Sequence, residues 1–342
     1  MKRRLLSLLV LLLPFILSGK ENALTRVATN LGGHFTFSGY GMAGWEYHDR
    51  SDPSNEFKIN KIILMGDARI TDDWHAFLMY DCKGGTLHEY WTSYRIKPWF
   101  NVKLGQFKTP FTIENPISPS RLEMITQTSL ATNYMIIGSS PTMMPGSAGR
   151  DLGLTVYGTA WGDRLAYDIA VMNGEGRNKG DANNTKDIVG RLTVKPFNGV
   201  SVSVSGIHGR GHIGDEYVAA QLDGVDDKGN FKRQRLAVGV TADVGRVGAR
   251  AEYMWARDGK GDNSRANGGY ITAVARGIAG RGLDLVASYD HLEPQWASTV
   301  NRYQAGVQYW FYPRCRLQVA WTATHTGTVT ESALLTQVQV AF

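Results

Sequence analysis

Two cysteines in 342 residues leave no room for a disulfide scaffold or a Cys-based metal cluster. Proline is also scarce, at 11 residues. No apolar run reaches the ~18 residues that a transmembrane helix requires. Charged residues make up only 20%, with no acidic tail or polybasic arm. Glycine is abundant instead, at 39 residues, beside 43% apolar and 11% aromatic residues. That balance excludes a disordered or collagen-like chain. The length suits two average domains or one all-β barrel.

Lys2, Arg3 and Arg4 precede a 13-residue apolar stretch, Leu5 to Leu17, broken at Pro14. It is too short to span a bilayer but has the form of a secretory signal. The expected cleavage lies near Gly19 or Ala23, so residues 1–19 form the signal and 20–342 one domain. No cysteine stands at the cut, so no lipid anchor is implied. Removing 1–19 takes three basic residues and no acidic one, and the net charge falls from +6 to +3. Nucleic-acid binding then loses its main support.

From residue 35 onward the strong segments alternate with period two, as strands do. Leu236, Val238 and Val240 alternate with Arg235, Ala237 and Gly239; Leu317, Val319 and Trp321 alternate with Arg316, Gln318 and Thr322. Runs of about ten residues exceed the usual ~5–6 of soluble strands and match the ~9–11 that cross a bilayer at a tilt. Tight turns are expected at 71–73, Pro98, 162–163, 198–199, Gly245, Arg281 and Pro313. Looser connections are expected at 48–55, 83–85, 107–150, 173–186, 209–230, 257–267, 292–300 and 325–332. The two kinds alternate and delimit sixteen strands. Short turns at one end and long loops at the other describe an all-β transmembrane antiparallel barrel of an outer membrane. Trp74, Trp99, Trp161, Phe197 and Tyr312 beside the tight turns would form an interfacial girdle. Val338, Val340 and Phe342 end the chain as such barrels do before their assembly machinery.

If the apolar parity faces lipid, the other parity faces the lumen. It carries Lys61, Arg69, Arg95, Lys97, Lys103, Arg164, Arg191, Lys195, Arg235, Arg250, Arg276, Arg302 and Arg316, against Asp67, Glu89, Asp168, Glu252, Asp284 and Asp290. Fixed positive charge in a lumen favours anions. The same arginines could instead brace the wall by pairing with acids.

The connection 107–150 is too long for a structureless loop. Ser120 and Glu123 form an S-x-x-E capping box, which predicts a short helix beginning near Arg121. Met135, Ile136, Ile137, Met143 and Met144 call for a packing surface, and the barrel interior is the nearest. The segment Lys103-Leu104-Gly105-Gln106-Phe107-Lys108-Thr109-Pro110-Phe111 opens this connection, and Gly149-Arg150-Asp151-Leu152-Gly153 closes it. This pairing resembles the phosphate-selective porin O and P family. The resemblance implies a sixteen-stranded homotrimeric barrel with a third loop folded into the channel. It further implies Lys108, Arg121 and Arg150 as anion-guiding residues around the loop; the inward parity read above adds Arg69, Arg95, Lys103, Arg191, Arg235, Arg250, Arg276, Arg302 and Arg316 along the wall as the expected anion path.

Gly209-Arg210-Gly211-His212-Ile213-Gly214 spells G-x-G-x-x-G, but it opens a polar loop without a helix or βαβ unit, so it does not indicate a dinucleotide site. Asp223, Asp226 and Asp227 lack the spacing of an EF-hand and suit turns. Cys82 and Cys315 are expected at opposite rims, unbridged. His75, His208, His212, His291 and His325 have no partner at a spacing that suggests a hydrolase. The expected function is passive diffusion of small hydrophilic solutes with a mild preference for anions such as phosphate, without enzymatic activity, metal or cofactor. Expected partners are outer-membrane lipid and lipopolysaccharide, the assembly machinery, small anions and two further copies. An adhesin or assembly scaffold is the alternative.

Overall fold

The computed structural model describes residues 34–140, 144–261, 264–280 and 282–342. The expected signal 1–19, Met143 and the turn residue Arg281 lie outside the described residues. Among those described there are sixteen strands. The first eight are β1 (Phe35–His48), β2 (Asn55–Arg69), β3 (Trp74–Asp81), β4 (Thr86–Lys97), β5 (Phe100–Lys108), β6 (Arg150–Ala160), β7 (Leu165–Met172) and β8 (Asp187–Phe197). The second eight are β9 (Val200–His212), β10 (Asn230–Val244), β11 (Val247–Asp258), β12 (Arg265–Ala275), β13 (Leu283–Glu293), β14 (Val300–Tyr312), β15 (Cys315–Thr326) and β16 (Val329–Ala341). Each strand pairs antiparallel with the next, and β1 closes on β16. Closure leaves no sheet edge, so every strand finds its backbone partners within the sheet.

Residue parity sets the two faces of this wall. Along β10, Leu236, Val238 and Val240 are exposed while Arg233, Arg235, Ala237 and Gly239 are buried. The same alternation runs through β11, β13 and β15. β-branched and aromatic residues suit the pleated surface, and in this register their apolar bodies form an outward belt. Left-handed backbone at Gly199 (φ 77°) and Gly245 (φ 63°) turns the chain tightly at one end. The five girdle aromatics are all exposed beside those turns.

Three connections differ from expectation. Residues 325–332 were expected to be loose, but Thr326 pairs with Val329 and only a two-residue turn remains. β9 runs on to His212, paired with Asn230, so the next loop is 213–229. That loop holds a helix, Glu216–Gln221, whose Asp215 side chain accepts from the Tyr217 and Val218 amides. The turn between β12 and β13 widens to 276–282. Cys82 and Cys315 are both free thiols. Asp226 accepts from the backbone of Lys228 and Asn230, the turn chemistry expected of it.

Candidate functional site

The described residues of the connection between β5 and β6, 109–140 and 144–149, reach partners on strands far along the chain. Its buried side chains Phe111, Ala131, Met135, Ile136 and Met144 form one apolar cluster with Met172, Val189, Ile207, Ala237 and Met254. The strand members of that cluster share the parity opposite to the outward belt. The capping box does not act as expected. Pro119–Arg121 makes a single 3-10 turn without a side-chain cap, and the chain leaves Leu122 extended. Glu123 instead reaches Arg250 at 2.8 Å, and the Ser120 carbonyl accepts from Gln339 at 3.1 Å. The helical turn comes later, at Leu130–Thr132. Ser129 caps it, and it runs into a wider turn, Asn133–Ile137, which ends at Gly138 with φ 100°.

Four of the inward arginines hold this segment. Arg235 pairs with Asp258 at 3.0 Å and donates to the Met135 carbonyl. Arg250 faces Glu114 at 3.6 Å as well as Glu123. Arg302 bridges Asp290 and the Thr128 carbonyl. Arg316 donates to the Leu122 carbonyl at 2.7 Å. Neutral groups add to the seam: the Ile113 amide donates to Glu252, the Thr112 amide to Ser205, and Gln318 donates to the Glu123 carbonyl. Burial pushes the Glu114 carboxyl up from its ordinary range, against the opposing pull of Arg250 and the Ser129 amide.

On the β3–β8 side a cavity of about 300 Å³ remains, closed on its other flank by Pro110, Pro116, Ser118 and Pro119. Lys103, Lys108, Arg150 and Arg191 line it against Glu89 and Asp168. Arg150 pairs with Glu89 at 3.0 Å and Arg191 with Asp168 at 2.8 Å. Lys108 donates to the Ile117 carbonyl at 2.6 Å. Two carboxylates against four cations leave a positive balance in the cavity.

The remaining expected residues sit elsewhere. Arg121 is exposed on the 109–149 segment and has no side-chain partner among the described residues. Arg95 and Arg276 pair with Asp73 and Asp243 near the tight turns, and Arg69 is exposed at the end of β2. Apart from Arg121, which stands exposed on the segment, the expected residues therefore divide into cavity, segment-holding and rim positions. Sequence reasoning passed over the cavity's apolar members Phe77, Met79, Trp91 and Phe107, although their parity with Asp81, Glu89 and Lys103 marked them as inward.

No known family profile and no curated protein matches the chain. Solved structures do match. An anion-selective porin from Comamonas acidovorans is 12% identical at a TM-score of 0.65, covering 90% of this chain and 99% of that one. The trimer form of OmpT, an outer-membrane protein of Vibrio cholerae, is 11% identical at 0.64 over 90% and 99% of the two chains. OmpF of Salmonella typhi, in complex with daunomycin, is 15% identical at 0.64 over 90% and 97%. The chain has the fold of the outer-membrane porins. With its continuous apolar belt, this fold is that of a multi-pass barrel of the outer membrane.

Proposed function

We propose that the chain is a passive channel for small hydrophilic solutes in a Gram-negative outer membrane, with a mild preference for anions. The observation that carries the reading is the charge of the lumenal cavity: Lys103, Lys108, Arg150 and Arg191 against Glu89 and Asp168. Fixed positive charge at a constriction lowers the entry cost of the opposite sign. Segment 109–149 sets the size limit by occupying the β9–β16 side, and Arg121, without a side-chain partner among the described residues, adds a charge from the segment itself. The anion-selective porin of the same fold supports the reading. Phosphate is the solute named by the resemblance carried on 103–111 and 149–153. A homotrimer is proposed on the trimer form of OmpT, and a cleaved signal on residues 1–19.

Single-channel recording in a planar bilayer under a salt gradient tests this. The expected result is a reversal potential on the anion side, moved toward cations by Arg121→Glu and by Arg150→Gln. Zero ion preference in the parent chain, unchanged by both variants, would sink the anion reading and leave a general channel.

A further inference from the structure

Inside the barrel, on the cavity's own wall, stands an aromatic face that the charge argument does not use. Phe77 and Trp91 stack with ring centres 5.1 Å apart and planes 23° from parallel. Phe107 and Met79 lie beside them, and all four line the cavity that holds Lys103, Arg150 and Arg191. The Lys103 ammonium sits 4.6 Å from the Trp91 ring centre, 5.4 Å from that of Phe107 and 5.0 Å from that of Tyr157. Among the described residues it has no carboxylate within ion-pair distance and donates no hydrogen bond. Its charge is held over ring faces, and its three N–H groups remain for a solute.

Inorganic phosphate gives up its water only where donors meet its oxygens from most sides. Here the cations stand directly against rings and a thioether, Lys103 over Trp91 and Phe107 and Arg150 beside Met79, and those apolar groups offer a phosphate no donor. A carboxylate attached to a flat apolar body satisfies both kinds of group: the body lies against the side chains of Phe77, Trp91 and Phe107, and the carboxylate turns toward Lys103 and Arg191. A cavity of about 300 Å³ is at the low end of small-molecule sites, which sets the size at a single ring. We infer that the cavity selects small carboxylates with an aromatic or flat apolar body over both inorganic phosphate and short aliphatic carboxylates. This inference rests on the channel reading above and names the solute class of the same cavity.

The test is block of chloride current through the refolded full chain by benzoate, acetate and inorganic phosphate in turn. Half-block is expected at a benzoate concentration about tenfold below that of the other two. Trp91→Leu and Phe77→Leu should each raise the benzoate value about three- to tenfold with the acetate value unchanged. Lys103→Gln should raise both, and Trp321→Leu on the outer belt should change neither. Equal block by the three anions, or benzoate block untouched in both ring variants, overturns the inference. If folded, heat-modifiable protein passes no current, the channel reading fails by itself. The subsite is then read by calorimetric titration of benzoate in detergent, where saturable heat weakened in Trp91→Leu upholds it and absent or unaltered heat overturns it.

Discussion

Arg316 and Arg150 both reach the interior but meet different surroundings. Arg316 is almost wholly enclosed, and its guanidinium donates to Gln308, Gln339 and the Leu122 carbonyl, all neutral acceptors. Arg150 leans on Glu89 at the edge of open space. Replacing Arg316 by Met should leave the Leu122 carbonyl without its donor, at a cost of about 1–3 kcal/mol. The expected outcome is a larger and noisier single-channel conductance with the reversal potential unmoved. A quiet trace at the parent conductance would show that Arg316 does not restrain the segment. Arg235 is more deeply committed, since its pair with Asp258 is fully enclosed. Arg235→Ala should cost about 3–5 kcal/mol by stranding that carboxylate, read as a lower urea midpoint of the folded barrel. An unchanged midpoint would mean that Asp258 finds another partner.

At the scale of elements, β10 and β15 were legible from the residues because alternation repeats at every second position regardless of what a strand faces. The 109–149 segment was legible only as something apolar and built. Its local capping box at Ser120 and Glu123 lost to partners far along the chain, Gln339 and Arg250. The cap that does form, Ser129, has Thr132 where a capping box would carry an acid: the Thr132 amide donates to the Ser129 hydroxyl, which donates to the Thr132 hydroxyl. Nothing in the letters ranks these two candidate helix starts, because the winning bonds are tertiary. Parity in the same way brought the arginines inward without saying which would meet a carbonyl of the segment and which a cavity. Ser129→Ala should cost about 1 kcal/mol, seen as faster proteolytic cutting between residues 109 and 149; cutting at the parent rate would discount the cap. In β5, Gly105 takes φ 134° with the Tyr90 carbonyl 2.3 Å from where a Cβ would stand. Gly105→Ala should therefore lower the yield of heat-modifiable barrel, and a normal yield would show that the strand can shift.

For the whole molecule, the two faces of the wall predict opposite tolerances. Val238→Arg puts a charge on the outward belt and should cost about 2–4 kcal/mol in lipid if it lies near the midplane, measured by reversible unfolding in bilayers. A cost no larger than that of a lumenal Thr272→Arg would contradict the assignment of faces. The inner segment also has a chronology. It is synthesised between β5 and β6, yet Ser205, Arg235, Arg250, Arg302, Arg316 and Gln339, which satisfy it, all come later in the chain. Long closures of this kind form late, because the entropy of joining distant residues is spent before their contacts return it. The last strand completes two tasks at once: Phe342 exchanges backbone hydrogen bonds with Gly39, and Gln339 gives Ser120 its donor. The strand that closes the wall thus also delivers the last, in chain order, of the segment's partners.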